Sequence, residues 1–559
     1  MARPSRPLPE IAQMYAQAVG CIQKGRLDEA EKLAARIRKL LPGSHEGVHL
    51  LGVVKLQRGH AGAGLALIEA ALKINPQASD AWSNRGLALG MLGRDREAME
   101  SFARSLELRA DDPDMFSSRG RLLLKLQRPA EALADFERAA ALAPGHFGAL
   151  TNRGNALAAL GRLDEALAQY DALLADDPAH PALHFNRGHA LAHLARHAEA
   201  VAAYDQALAS RPDYAAAHLD RGTALQALNR HEEALASFAQ VLAIDAHNAD
   251  AQHNAALSRL TLGDYREGFA QYEARLGRSG MPARRRLGKP LWLGEYPPQR
   301  KTILLHAEQG LGDTIQLARY VPLVARMGAS VVLEVPVELV GLLGRLAGVA
   351  AVVARGAPLP AFDLHCPMGS LPLALATEPD SIPAAIPYLT ASAELIAQWR
   401  PRLAPLRHPR VGFVWSGRPS HPNDRNRSLA LARLAPLLET DQVSFISLQR
   451  EMSDPDAAVL AGLGGVTAIG AALRDFDDTA AVLALCDLVI TVDTAVAHLS
   501  GALGRPTWIL LPFAPDWRWL LARPDSPWYP TARLYRQPVL GDWESVIARM
   551  REDLAGMVA

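Results

Sequence analysis

The sequence predicts two kinds of structure joined end to end: an all-α array of repeated helix pairs, then an α/β region built on parallel strands. Three observations predict it. Small residues recur at about a 34-residue spacing through the first half, a period typical of stacked helical hairpins. That rhythm stops near residue 275. Beyond residue 301, short β-branched runs alternate with helical stretches, the pattern of parallel strands covered on both faces.

The first half carries three ladders in one register. Gly52, Gly86, Gly120, Gly154, Gly188 and Gly222, continued by Ala256, form one. Gly64, Ala98, Ala132, Ala166, Ala200, Ala234 and Gly268 form the second. Phe102, Phe136, Tyr170, Tyr204, Phe238 and Tyr272 form the third, and Pro42, Pro76, Pro144, Pro178 and Pro212 close the units. Small residues let the two helices of a unit approach closely. The aromatic is expected to fill the gap between stacked units. Proline stops the second helix because it cannot continue the hydrogen-bond ladder.

These ladders resemble the tetratricopeptide repeat, with about eight units over residues 11–275, the first and last degenerate as caps. The resemblance implies a right-handed superhelix whose concave groove holds a protein or peptide. Two residues before the first-ladder positions lie Asn84, Ser118, Asn152, Asn186, Asp220 and Asn254. In such repeats this position faces the groove. The asparagines are similar to the ladder with which protein O-GlcNAc transferases grip a peptide backbone, since an amide both donates and accepts regardless of side-chain sequence. A plain consensus preference for Asn explains the same residues. Arg85, Arg119, Arg153, Arg187 and Arg221 follow directly, and are read as packed aliphatic stems with solvated heads ahead of an anion site.

Residues 276–300, around RLGRSGMPARRRLGKP, are rich in Gly, Pro and Arg without apolar period and are expected to be a linker or an arm lying on the next domain. Arg284, Arg285 and Arg286 are expected on solvated surface. KTILLHA, SVVLEVP and VAAVVA then predict strands in 301–400. After PRLAPLRHPR, the runs RVGFVWSG, VSFISLQ, DLVITVD and TWILLP predict strands in 401–559. Two Rossmann-like lobes with a cleft between them is the economical architecture, with ligands outside the carboxyl ends of the strands.

Composition excludes some functions. The chain has 559 residues, 49% hydrophobic and 21% charged, with Lys+Arg and Asp+Glu both 59. It lacks the basic bulk of a nucleic-acid binder. Cys21, Cys366 and Cys486 are far apart and without metal spacing, which predicts a reducing, cytoplasmic setting and no disulfide framework. MARPSRPLPEIAQMYAQ has no apolar run behind its arginines, so no secretory signal is expected. No stretch of about 18 residues is apolar enough to span a bilayer, which leaves peripheral membrane contact open.

Two strand-to-helix turns concentrate polar residues. In LLHAEQGLGDTIQLARY a strand ends near His306, Gly310 and Gly312 allow a tight turn, and Asp313 precedes a helix. In LVITVDTAVAHLSGALG, Asp493 ends a strand, Thr494 and Ala495 open a helix, and His498 lies about one turn in. Both put backbone N–H groups and a carboxylate at the cleft, where a helix N-terminus can take a diphosphate. Each acid alone is equally well explained as a helix N-cap, worth about 1 kcal/mol. The two glycines make only part of a dinucleotide fingerprint.

Taken with the mid-chain WSGRPSHPNDRNRS, these turns resemble the ADP-heptose:lipopolysaccharide heptosyltransferases, glycosyltransferase family 9, in scattered motifs between residues 300 and 550. VDTAVAHLSGALGRP is the most specific of them. The resemblance implies an inverting enzyme of the GT-B fold. Lobe 301–400 would lie on the acceptor side and lobe 401–559 on the nucleotide-sugar side, with a nucleotide-diphosphate sugar as substrate and no metal or other cofactor. It implies Asp313 as the general base. Arg427 stands where the family has a lysine and would steady the leaving diphosphate bidentately. Asp493, Thr494, Ala495 and His498 would line that diphosphate. The family has D-T-G where this chain has Asp493-Thr494-Ala495, and the added methyl bears on how closely a phosphate approaches.

His306, Glu308, Gln309 and Gly312 are candidates for acceptor or donor contacts, and Asn84, Asn152, Asn186 and Asn254 for the groove. Repeats followed by a transferase are similar in layout to protein O-GlcNAc transferases, which implies a protein acceptor. Two alternatives stay open: a non-catalytic scaffold with a degenerate nucleotide-sugar domain, and a cell-envelope glycan enzyme. Lesser features are expected to be structural. His421, Asn423, Asp424 and Arg425 form a polar loop over the donor or on plain surface. Asp475, Asp477 and Asp478 start a helix. Trp517, Trp519, Trp528 and Tyr529 pack the C-terminal segment between domains, and Cys486 is core.

Overall fold

The computed structural model describes residues 9–278, 285–421, 423–440 and 442–558. The chain forms two compact units, Met1–Pro212 and Asp213–Ala559.

The first unit is all helical. Among the described residues it holds twelve helices, from Pro9–Gln23 to His197–Ser210, packed as successive hairpins. The ladder residues explain the hairpins. A Cβ added to Gly86 would lie 2.8 Å from the Phe102 ring, one on Gly120 2.6 Å from Phe136, and one on Gly154 2.5 Å from Tyr170. The aromatic therefore seats on the glycine of its own unit; the expectation that it bridges neighbouring units is corrected. A ring of that size reaches the partner backbone only where no side chain intervenes. The prolines stand just beyond helix ends such as Ile74, Leu142 and Asp176.

The arginine ladder is paired internally. Arg119 makes two bonds to Asp135, at 2.7 and 2.6 Å, Arg153 Nη1 donates to Gln169 at 2.5 Å, and Arg187 Nε donates to Asp171 at 2.7 Å. Arg85 holds Glu69 and Ser101. Each ties one helix of a hairpin to a neighbouring one. A further ladder lies outside the sequence expectations: Arg94, Arg128, Arg162, Arg196 and Arg230 precede second helices and clasp the glutamate three residues on. These clasps are exposed and contribute little to stability.

The second unit opens with four more repeat helices, Ala215–Ala227, His231–Ile244, Ala249–Leu262 and Tyr265–Tyr272. They bring the total to sixteen among the described residues. Two parallel sheets follow. The first has the order β3-β2-β1-β4, with β1 Thr302–His306, β2 Ser330–Val335, β3 Val349–Ala354 and β4 Leu364–Pro367. The second has the order β10-β9-β8-β5-β6-β7, with β5 Arg410–Val414, β6 Ser444–Ser447, β7 Val466–Ala468, β8 Leu488–Val492, β9 Thr507–Leu511 and β10 Ala532–Arg536. All seven expected runs are strands. The strands β4, β7 and β10 were not expected: β4 and β7 are only four and three residues long, and β4 and β10 have no β-branched residue. Helices cover both sheets, and the C-terminal helix Trp543–Val558 buries Val546, Met550 and Leu554 against Leu434 and Leu437.

Packing breaks earlier than the repeat rhythm does. Tyr265, Phe269 and Tyr272 share one core with Trp292, Ile303, Trp517 and Trp528. The last helices therefore belong with the sheets. Of the two readings of residues 276–300, the described part is the arm lying on the sheet. Leu291 bridges His365 in parallel, the Trp292 backbone N–H donates to the His365 carbonyl at 2.9 Å, and the Trp292 indole is fully buried. The segment is an added edge on β4, fixed by burial of a large aromatic. Arg285 pairs with Glu334 and Arg286 is exposed, while Arg284 lies outside the described residues. No helix among the described residues is long and apolar enough to cross a membrane.

Candidate functional site

Parallel sheets point the carboxyl ends of their strands, and the loops that follow, at one edge. Here β1, β5 and β8 each deliver one polar residue to a common cluster. After β1 the chain turns at Gly310, which caps the short helix Leu311–Leu317 and leaves Asp313 in its first turn. Asp313 Oδ2 accepts from the Gly310 N–H at 2.9 Å, and Oδ1 accepts from Arg518 Nη2 at 2.5 Å. The side chain remains 28% exposed, so a solute can reach it. After β5 the loop folds back and Ser428 Oγ accepts from the Gly417 N–H at 2.8 Å. Arg427 Nη1 then donates to the Asp493 carbonyl at 2.9 Å, and its Nε to Asp424 at 3.3 Å. Arg427 Nη2 makes no protein hydrogen bond among the described residues.

After β8, Asp493 is followed by Thr494, whose hydroxyl caps the helix Ala495–Ala502 by accepting from Val496 N–H at 3.3 Å. Burial pushes the Asp493 carboxyl up to about 7, with Asp516 adding to it against Arg427 and Arg518. Arg518 is the hub. Burial alone would weaken its charge, but Asp516 and Asp313 more than compensate and hold it above the ordinary arginine value. Its Nε donates to Gln316 at 2.5 Å and Nη1 to Asp516 at 2.9 Å. His421 faces the same cluster; burial and Arg427 lower its basicity, opposed by Asp313 and Asp424.

The other candidates divide between the contact of the two turns and the sheet interior. His498 is buried, stacked on Trp519 at 5.5 Å, with Nδ1 3.0 Å from Tyr529 Oη. Burial, then Arg518, lowers its basicity well below the ordinary histidine range. Gly312 is where the two turns touch: a Cβ there would lie 2.8 Å from His498 Cδ2 and 3.3 Å from Ala495 Cα. Ala495 itself is half-buried. His306 is buried in β1, 3.3 Å from His365 Nδ1, its basicity lowered to about 3 by burial and Arg285. Glu308 turns to Arg275, at 2.8 Å, and burial raises its carboxyl. Gln309 donates to Tyr272 Oη at 2.6 Å. These three residues face the sheet interior and the last repeat helix.

Asp475 caps Phe476–Leu483, with Asp477 held by Arg345 and Asp478 by Arg474 and Trp399. Trp517, Trp519, Trp528 and Tyr529 are all buried, and Cys486 is buried core. Arg518 and Asp516 were missed by sequence reasoning. PDWRWLL carried the signal, since an arginine between two core tryptophans must find buried acceptors.

The groove asparagines are half-buried. In the first unit, Asn84 Nδ2 lies 3.0 Å from His49 Nε2, Asn152 Oδ1 accepts from Asn155 at 3.4 Å, and Asn186 donates to Asn155 Oδ1 at 2.9 Å. In the second unit, Asn254 Nδ2 donates to Thr223 at 3.4 Å.

Comparison with known proteins agrees with this layout. Tetratricopeptide repeats match at residues 49–113, 118–181, 151–215 and 185–251. Glycosyltransferase family 9 (heptosyltransferase) matches at residues 458–510, a stretch that includes Asp493 to His498 but neither Asp313 nor Arg427. Protein FlbA of Caulobacter vibrioides is 28% identical over 332 residues, 55% of this chain and 55% of FlbA. The chain thus spans about half the length of the curated relative it matches. Among solved structures, a tetratricopeptide repeat protein from Parabacteroides merdae is 18% identical with TM-score 0.36, covering 44% of this chain and 98% of its own. YrrB, described as a TPR protein with an unusual peptide-binding site, is 26% identical with TM-score 0.29, covering 33% of this chain and 95% of its own. The N-terminal half therefore carries tetratricopeptide repeats, and a stretch of the C-terminal region matches glycosyltransferase family 9, which supports a glycosyltransferase-like function.

Proposed function

We propose that the chain is a cytoplasmic, inverting glycosyltransferase of GT-B type that moves a sugar from a nucleotide-diphosphate donor to a hydroxyl of a protein held by the repeats. The observation that carries this reading is the convergence of Asp313, Arg427 and Asp493 beyond the carboxyl ends of β1, β5 and β8. In the reaction, Asp313 takes the acceptor's hydroxyl proton as that oxygen bonds the anomeric carbon. The bond from that carbon to the β-phosphate oxygen breaks, its electron pair leaves on the nucleoside diphosphate, and the configuration inverts. Arg427, with Nη2 unspent, meets the growing charge on the phosphate. The N–H groups at Thr494 and Ala495, at the start of the following helix, assist. Asp313 then returns its proton to water.

The test is thermal denaturation of the full chain with ADP-, GDP- and UDP-sugars. A ligand bound only to the native state at about a hundred times its Kd adds about 2.7 kcal/mol of stability. Stabilisation by none of the three classes overturns the donor reading and favours a scaffold. For the acceptor, replacing Asn152 and Asn186 together by Ala is expected to weaken acceptor binding while donor hydrolysis continues. Unchanged acceptor binding would remove the groove from the reaction.

A further inference from the structure

Both oxygens of Asp313 are held by groups that trace back to one element, the helix Tyr265–Tyr272 that closes the repeats. On one side, Arg518 Nη2 donates to Oδ1 at 2.5 Å. That guanidinium lies over the Trp517 ring, 4.4 Å from its centre. Trp517 in turn meets Phe269 edge-on at 5.6 Å and Tyr265 at 6.3 Å. On the other side, the Gly310 N–H donates to Oδ2 at 2.9 Å. Gly310 follows Gln309, whose amide donates to Tyr272 Oη at 2.6 Å.

We propose that the last repeat helix is a positioning element of the transfer site, fixing the Asp313 carboxylate through Trp517–Arg518 on one side and Tyr272–Gln309 on the other. The proposal rests on the transferase reading of Asp313. The need for such fixing is physical. Asp313 sits in the first turn of a seven-residue helix and is partly exposed, so its side chain would otherwise exchange rotamers. A general base works only within hydrogen-bond reach of its proton. The Arg518 fork has three fixed acceptors, Gln316, Asp516 and Asp313, and an aromatic face beneath it. A planar fork held in that way has one orientation, which a lysine cannot reproduce. Displacement of the Tyr265–Tyr272 helix therefore reaches Asp313 through packed groups, and the repeats are more than a detachable adaptor.

The experiment uses the full chain and the ADP-, GDP- or UDP-sugar that stabilises it most, reading release of nucleoside diphosphate. Arg518→Lys is expected to lower kcat about a hundredfold, the scale of a misplaced catalytic group, with donor KM within about twofold. Tyr272→Phe keeps the packed ring and removes one acceptor, and is expected to lower kcat about fivefold. Donor-binding stoichiometry by calorimetry stays at the wild-type value in both. A stoichiometry that falls in step with kcat marks a folding defect and overturns the positioning role. Turnover that is lost in Asp313→Asn but unchanged in both positioning variants overturns it too, and leaves the transferase reading standing. A wild-type chain that turns over no sugar nucleotide overturns both.

Discussion

After β1 the chain turns at Gly310 and places Asp313 inside the first turn of a helix; after β8 it turns at Asp493 and caps the next helix with Thr494. The two turns have the same plan and touch at Gly312, yet their carboxylates meet opposite surroundings. Asp313 is open to solvent and matched by the Arg518 guanidinium. Asp493 is crowded by protein and by a like charge, Asp516, and its carboxyl is driven up to about 7. Neither acid is the N-cap that a sequence reading offers as the plain alternative: Gly310 and Thr494 hold those places. An acid three residues into a helix is free to serve a second partner. An acid before the cap is folded under the turn and shapes it.

The sharpest way to separate the two turns is Asp313→Asn. The amide keeps the size, and its one oxygen can still accept from Arg518, while its nitrogen, a donor, gives up the bond from the Gly310 N–H; the fold and donor binding should be kept. It cannot take a proton, and transfer should fall about a thousandfold, within the range for a general base. Unchanged turnover would reduce Asp313 to a structural partner of Arg518 and erase the contrast.

How far this contrast was legible in the sequence differs between the turns. Both glycines, both acids and the flanking strands were readable, because tight turns and β-branched runs have local chemistry. The repeats were readable for the same reason: Gly86 and Phe102 recur in register down the array. Arg518 was not readable as the partner of Asp313. The two are 205 residues apart, and nothing local announces a pair made by two lobes folding together. What covers the last repeat helix was not readable either. Its pattern is that of a repeat, but Tyr265 and Phe269 face Trp517 and Trp528 instead of another repeat. The strands β4, β7 and β10 escaped because sheet position, more than residue type, makes them strands.

The contact between the turns can be loaded directly. Gly312→Ala would push a methyl to 2.8 Å from His498 Cδ2, and His498 has little room to move, stacked on Trp519 and bonded to Tyr529. Overpacking of this kind costs about 1–3 kcal/mol. The thermal midpoint should fall, and donor binding should weaken with it as the two turns separate. An unchanged midpoint would mean that the turns slide freely and that their juxtaposition is not fixed by packing.

The smallest expected effect tests the electrostatic half of the contrast. The ordinary Asp carboxyl lies at 3.8, and in the folded chain burial and Asp516 raise Asp493 to about 7. Between those values the folded chain binds more protons than the unfolded one, so this group's contribution to stability falls as pH rises through the window. Asp493→Asn removes the charge while leaving the backbone carbonyl that accepts from Arg427. Wild type should therefore lose stability relative to the variant on going from about pH 5 to about pH 8. The loss should be on the order of 1 kcal/mol once partial exposure is allowed for. Thermal midpoints of the two proteins across that range give the answer. Parallel curves would show that Asp493 titrates as an ordinary surface acid. Diverging curves would mark it as a proton-holding residue beneath its turn, the counterpart of an Asp313 that stays open to solvent.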